Sequence, residues 1–145
     1  MAYDKLKNKL LAHQNRTKIK VRFNDTDAMG IVHFMNYMMY FDDGFVSFMN
    51  SLKSKKRVED LIYENIALGV KNVNITYEGM AKFGDYLLID SEIKEIGNKS
   101  ITFFHQIYKE SDNEKLAEVK AVRFAMDLSS NKLINILDFF SNFLE

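Results

Sequence analysis

The stretch 21–52, VRFNDTDAMGIVHFMNYMMYFDDGFVSFMNSL, decides the fold. A short strand, Lys18–Asn24, leads into two aspartates, Asp25 and Asp27, on either side of Thr26. The turn Ala28-Met29-Gly30 then gives way to His33-Phe34-Met35-Asn36. Beyond it, Met38, Phe41, Phe45, Phe48, Met49 and Leu52 recur at intervals of three and four, which predicts a helix over Tyr37–Leu52. Asn36 is the expected N-cap, its side-chain oxygen accepting from a free N–H of the first turn. Met35 and Tyr40 flank it as a hydrophobic staple would. Asp42 and Asp43 fall near the positive end of the helix dipole. The order of residues therefore delivers an acidic loop to a helix N-terminus with unpaired N–H groups.

That juxtaposition suits chemistry on a carbonyl. A helix N-terminus can polarise a carbonyl oxygen and hold the oxyanion formed on attack, an effect worth about 3 kcal/mol. A carboxylate just upstream can be the nucleophile or the base for a water. The plainer reading of Asp25 and Asp27 is as turn formers whose side chains bond nearby backbone amides.

Four long strands follow, each marked by alternation of period two. Ile66–Tyr77 sets Val73, Ile75 and Tyr77 against Asn72, Asn74 and Thr76. Asp85–Ile96 carries Leu87, Ile89, Ser91 and Ile93 on one face, and Gly97-Asn98 makes a hairpin turn. Lys99–Glu110 alternates Ile101, Phe103, His105 and Ile107 with Thr102, Phe104, Gln106 and Tyr108. Lys115–Asp127 sets Ala117, Val119, Ala121 and Ala125 opposite Leu116, Val122, Phe124 and Met126. Such strands reach roughly 40 Å, whereas the helix spans only about 24 Å. A twisted antiparallel sheet wrapped around that one helix satisfies both lengths, an α+β arrangement. Apolar residues on both faces of Lys99–Glu110 call for a second cover, so a homo-oligomer, dimer or tetramer, is expected.

The run Phe23, Asp25, Thr26, Asp27, Gly30, Ile31, Val32, His33, Asn36 and Tyr37 resembles, without a gap, the signature of hotdog-fold acyl-CoA thioesterases of the 4-hydroxybenzoyl-CoA type. Further matching pieces are Tyr77-Glu78, Ala81-Lys82-Phe83-Gly84-Asp85, Glu95-Ile96-Gly97 and Ala117-Glu118, so the resemblance reaches to near Asp127. It implies a hotdog fold and hydrolysis of acyl-CoA to free acid and CoA. Asp27 matches the family's catalytic carboxylate, and Phe34 matches the residue whose backbone N–H polarises the thioester carbonyl. Many relatives carry histidine at the Phe34 position; here only the backbone donor can act. Gly30, His33, Met35, Asn36 and Tyr37 are the expected substrate-binding residues, Gly30 by letting the backbone approach the substrate. In the resembling family the active site lies between two subunits. No metal or redox cofactor is implied, coenzyme A being part of the substrate.

Composition is consistent with this. The chain has 145 residues, 47% hydrophobic and 13% aromatic, enough for one folded domain with a core of its own. Residues 1–17 read as an N-terminal extension and 128–145 as a C-terminal tail. Lys+Arg and Asp+Glu are both 20, which argues against a broad basic face for nucleic acid. There is no cysteine, which excludes disulfides and thiol catalysis and fits the cytoplasm. No stretch has the length and apolarity of a signal peptide or a membrane span. Tyr3, Leu6, Leu10 and Leu11 fit a short amphipathic helix, with His13 solvated just beyond it. The basic run Lys53-Ser54-Lys55-Lys56-Arg57 reads as a connector, or as a contact for coenzyme A phosphates. Val58–Asn65 is expected to form a turn or two of helix. The tail residues Phe139, Phe140 and Phe143 are expected to pack on the sheet or on a partner. Three scattered histidines show no metal-ligand spacing. His105 reads as a core or interface residue, His33 as either site lining or a packed residue. Met29, Met35, Met38, Met39 and Met49 read as core residues, or, where they cluster near the aspartate, as an adaptable apolar wall suited to an acyl chain. Two other functions fit less well: a hotdog dehydratase, for which His33 with Asp27 would be the acid–base pair, and a non-catalytic acyl-CoA-binding module. An acyl-carrier-protein thioester is the alternative substrate.

Overall fold

The computed structural model describes residues 3–145; positions 1 and 2 of the N-terminal extension lie outside the described residues. The helices are α1 (Asp4–Ala12), α2 (Tyr37–Asn50) and α3 (Ile136–Phe143). The strands are β1 (Gln14–Lys20), β2 (Ile66–Tyr77), β3 (Tyr86–Ile96), β4 (Ile101–Lys109), β5 (Lys115–Asp127) and β6 (Lys132–Ile134). They form one antiparallel sheet in the order β1-β3-β4-β5-β2, with β6 added to the end of β5.

Period-two alternation puts Leu87, Ile89, Ser91 and Ile93 of β3, Ile101, Phe103, His105 and Ile107 of β4, and Ala117, Val119, Ala121 and Ala125 of β5 on the buried face. The same face receives Tyr37, Tyr40, Phe41, Phe45, Phe48 and Met49 of α2. Gly44 lets the helix come close: a Cβ there would stand 2.7 Å from Ile89 Cγ2 and 2.9 Å from Ser91 Oγ. This is the hotdog arrangement that the unequal element lengths predict. The alanines of β5 leave the room that the aromatic face of α2 fills.

Three expectations are corrected. The first strand is Gln14–Lys20, not Lys18–Asn24. The Asp25 carboxylate captures the Arg22 backbone N–H at 3.0 Å and the Arg22 guanidinium, closing a 3-10 turn over Phe23–Asp25 that takes the chain off the sheet. His13 is not solvated. It is partly buried edge-on against Phe48, with Nε2 2.7 Å from Ser51 Oγ, because α1 docks over the end of the sheet. Burial, then the charges of Lys9 and Lys53, push its imidazole below the usual range. Asn36 is not a side-chain cap, as described below.

The tail does pack. Asn135 caps α3 by accepting from the Asp138 N–H at 3.0 Å, and Phe139, Phe140 and Phe143 join Leu10, Phe45 and Phe48 in one apolar cluster. The Ser54 hydroxyl bonds the Phe143 carbonyl, tying the connector after α2 to this helix. Within that connector Lys56 pairs with Glu64 and Arg57 with Glu59, while Lys53 and Lys55 stay exposed. The turn of helix expected near Leu61 is a 3-10 segment, Val58–Ile62. No helix among the described residues is long and apolar enough to cross a membrane.

Candidate active site

The aspartate motif folds into a tight hairpin. Thr26 and Val32 are bridged, the Asp27 N–H donates to Ile31 O at 2.8 Å, and Gly30 N–H returns to Asp27 O at 3.0 Å. Gly30 has φ +77°, and a Cβ there would meet nothing within 4 Å. Its role in the chain is thus the left-handed turn, not close packing. The second arm is hydrogen bonded to the β2–β3 connection: Val32 N–H to Ala81 O at 2.9 Å, Phe83 N–H to Gly30 O at 3.1 Å. This is what the Ala81-Lys82-Phe83-Gly84-Asp85 piece does. Its Lys82 N–H closes on Asp85 Oδ2 at 2.8 Å, and the Gly84 N–H bonds Val21 O.

Asp27 is both turn former and available carboxylate. Oδ1 accepts from the Met29 N–H at 2.8 Å, an Asx turn. Oδ2 bonds no described residue. Asp25, by contrast, is consumed by structure. It is 1% exposed, accepts from Tyr40 Oη at 2.9 Å and from Arg22, and its own carbonyl takes bonds from the His33 N–H and Asn36 Nδ2. Burial pushes its carboxyl up, but the Arg22 and Tyr40 bonds outweigh that and hold it below the usual range.

The helix starts differently from expectation. A 3-10 turn over Phe34–Asn36 precedes α2, and its cap is His33, whose Nδ1 accepts from the Met35 N–H at 3.2 Å. Asn36 is already helical and turns its amide to Asp25 O at 2.7 Å, so it clamps helix to hairpin rather than capping. Met35 stays 65% exposed while Tyr40 turns inward to Asp25, so the staple does not form. The Phe34 N–H, first of the helical run, has no acceptor among the described residues. Its carbonyl accepts from Tyr77 Oη at 3.0 Å, which fixes the peptide's neighbour on β2.

Of the expected substrate-binding residues, Gly30, His33 and Met35 lie on this surface, with the His33 ring stacked on Phe34 at 4.7 Å. Tyr37 is buried and its hydroxyl accepts from the Ala81 N–H at 3.3 Å, so it braces the loop from beneath. Met29 and Met35 are exposed, as are Phe23, Met80 and Phe83, an apolar surface around the hairpin. Among the described residues no group of three or more histidine or carboxylate side chains is placed to hold a metal. The sequence reading placed Tyr40 in a staple and Tyr77 in a strand but missed the hydroxyl bonds both make, and it did not name Arg123, which pairs with Asp42. A tyrosine on the buried face of a helix needs a partner for its hydroxyl, and that signal was available for Tyr40.

The fold and this loop define a hotdog protein with a carboxylate beside a helix N-terminus. The sequence model of the thioesterase-like superfamily matches residues 21–144, and the chain belongs to that family. It is 26% identical over 114 residues to the acyl-CoA thioesterase YbgC of Haemophilus influenzae, covering 79% of this chain and 82% of that one. Among solved structures it resembles a DHNA-CoA thioesterase from Staphylococcus aureus, TM-score 0.80 at 17% identity over 89% and 85% of the two chains. It also resembles the 4-hydroxybenzoyl-CoA thioesterase of a Pseudomonas species, TM-score 0.78 at 20% identity over 90% and 99%.

Proposed function

We propose that the protein hydrolyses acyl-CoA thioesters to the free acid and coenzyme A. The observation that carries this reading is a single hairpin whose two arms present an unpaired Asp27 oxygen and the unpaired Phe34 N–H of a helix N-terminus. The thioester carbonyl oxygen accepts from the Phe34 N–H, and the helix dipole stabilises the oxyanion that develops there. Asp27 either attacks the carbonyl carbon, giving an anhydride that water then opens, or takes a proton from the water that attacks. In both cases the C–S bond breaks and the sulfur leaves as thiolate and is protonated; one water is consumed, giving the free acid and restoring the Asp27 carboxylate. The exposed apolar surface around the hairpin supports an acyl substrate. The chemistry calls for no metal or redox cofactor. The Asn36–Asp25 clamp and the Tyr77–Phe34 bond hold donor and carboxylate on one frame.

The working unit in this reading is a cytoplasmic homo-oligomer, dimer or tetramer. β2 is hydrogen bonded on one side, to β5, and no described strand covers its other edge. A dehydratase is disfavoured because His33 commits Nδ1 to the Met35 N–H and His105 is buried against Ser91.

Thiol release from a panel of acyl-CoAs, and from acyl-carrier-protein thioesters, tests the reading with wild type beside Asp27→Asn. Loss of roughly 10²–10⁴-fold in kcat with the fold intact is expected. Near-wild-type release by the variant sinks the assignment. Saturable binding of acyl-CoA with no thiol released by the wild type would mean a binding module instead.

A further inference from the structure

Methionine is spread unevenly over the surface. Met29 and Met35 are 77% and 65% exposed. Met80, just before the Ala81 carbonyl that takes the Val32 N–H, is 61% exposed, and Met39 in the first turn of α2 is exposed as well. Met49, on the face of α2 turned to the sheet, is fully buried. The thioethers that meet solvent thus gather at the aspartate hairpin and the helix start. Exposed aliphatic residues farther away, such as Ile62, Val70, Leu128 and Leu133, are branched hydrocarbons. Those would give an acyl chain the same apolar cover; sulfur adds one property they lack, ready oxidation. The chain has no cysteine, so all of its oxidisable sulfur is in methionine.

Two of these methionines are fixed beside the reacting groups by their own backbone. The Met29 N–H donates to Asp27 Oδ1 at 2.8 Å. The Met35 N–H donates to His33 Nδ1 at 3.2 Å, one residue beyond the unpaired Phe34 N–H. Both side chains therefore leave the chain next to the groups assigned to the thioester. Access follows from the same assignment. An acyl-CoA must reach Asp27, so a molecule as small as hydrogen peroxide reaches it too, in a dimer or tetramer as much as in one chain.

We propose that Met29 and Met35 form a reversible oxidation site, at which peroxide weakens the hold of the enzyme on acyl chains. This deepens the thioesterase reading and rests on it. The thioether sulfur attacks one oxygen of hydrogen peroxide, the O–O bond breaks and an S–O bond forms. Sulfur gives up two electrons, and the peroxide is reduced to water. A methionine sulfoxide reductase reverses the step, its dithiol becoming a disulfide while the oxygen leaves as water. The sulfoxide is polar where the thioether was not. An acyl chain laid over it strips water from the new oxygen without replacing the hydrogen bonds. An acetyl group ends too close to the thioester to do so.

Brief peroxide treatment of the whole protein, read by tandem mass spectrometry, should add one oxygen to Met29 and to Met35 at least about tenfold faster than to Met49. Decanoyl-CoA hydrolysis should then fall about tenfold against acetyl-CoA hydrolysis, and return on treatment with the reductase. The double variant Met29→Leu/Met35→Leu keeps apolar bulk without an oxidisable sulfur. Each protein is compared with its own untreated rates, and the variant's ratio should change by less than about twofold. An equal loss in variant and wild type overturns the proposal, as does full decanoyl-CoA activity with both sulfoxides present. Oxygen appearing on Met49 as fast as on the other two also overturns it. If decanoyl-CoA is not a substrate, or no thioester is, the site is read by binding of dansyl-undecanoic acid. Binding that peroxide weakens about tenfold in the wild type, and leaves unchanged in the variant, upholds the oxidation site. Equal binding before and after treatment, or none by the wild type, overturns it.

Discussion

The Tyr40 hydroxyl donates to the buried carboxylate of Asp25 at 2.9 Å, and this bond joins the first turns of α2 to the hairpin that carries Asp27. The same aspartate takes Asn36 and His33 on its carbonyl, so the helix N-terminus and the loop share one anchor. A charge-assisted bond in a covered position contributes about 1.5–3 kcal/mol. Tyr40→Phe should lower stability by that order while leaving the packing of the ring intact. The pH dependence has a defined sign. The folded Asp25 carboxyl lies below its unfolded value, so its stabilisation is present above about pH 4 and lost as the pH falls below that. Removing the hydroxyl moves the folded carboxyl upward, and acid unfolding followed by circular dichroism should shift to higher pH in the variant. An unchanged acid midpoint would mean that Arg22 alone holds the carboxylate.

His105 gives a second pH window. Its Nδ1 lies 2.6 Å from Ser91 Oγ, its Nε2 is buried without a partner among the described residues, and its ring stacks against Phe103 at 6.0 Å. Burial, with a smaller push from Arg123, brings its imidazole down to about 3. Between the ordinary histidine value near 6.5 and that figure, the unfolded chain holds a proton that the folded chain refuses. Stability should therefore fall as pH drops from about 6.5, with a limiting slope of about 1.4 kcal/mol per pH unit from this one group. Urea unfolding at stepped pH values checks it, and His105→Gln should flatten the slope between about pH 6.5 and 4.5.

Gly44 tests the fit of helix on sheet. In an exposed helix, glycine to alanine is stabilising by about 1 kcal/mol. Here the added methyl group would press on Ile89 and Ser91, both in the core beside His105. Overpacking of this kind costs about 1–3 kcal/mol, so Gly44→Ala should be neutral to destabilising by about 2 kcal/mol. A rise in the urea midpoint would show that α2 can lift from the sheet without loss.

What the residues revealed beforehand follows from range. Alternation in β3 to β5 locates those strands to within two residues of their ends, because which face is buried is written along each strand. In β2 the bounds agree with the sequence pattern, but its residues are exposed or half-buried without alternating. The aspartate hairpin is legible because Asp27, Gly30 and Phe34 are near neighbours in the chain. The bonds that escaped are those between distant segments: Tyr77 to Phe34 across 43 positions, and Arg123 to Asp42 across 81. Arg123 sits on the buried face of β5 at 3.8 Å from the Phe45 ring, where alternation would place an apolar residue. The Asn36 cap failed for a local reason. Asp25 O competes for its amide, and His33, two residues before Met35, reaches the free N–H first.

Gly30 separates backbone conformation from space in the aspartate hairpin. It has φ +77° with open room where a side chain would stand, so a substitution there is resisted only by the left-handed backbone. An ordinary L-residue loses roughly 1–2 kcal/mol in that region, whereas asparagine enters it readily. Gly30→Ala should therefore relax the turn, disturb the Gly30–Asp27 bond that shapes the carboxylate's position, and reduce kcat on acyl-CoA more than it raises KM. Gly30→Asn, which is larger, should retain more activity than the alanine variant. Steady-state thiol release from both proteins settles the order. If alanine proves the better tolerated of the two, side-chain bulk over the thioester, rather than backbone strain, is what this position excludes.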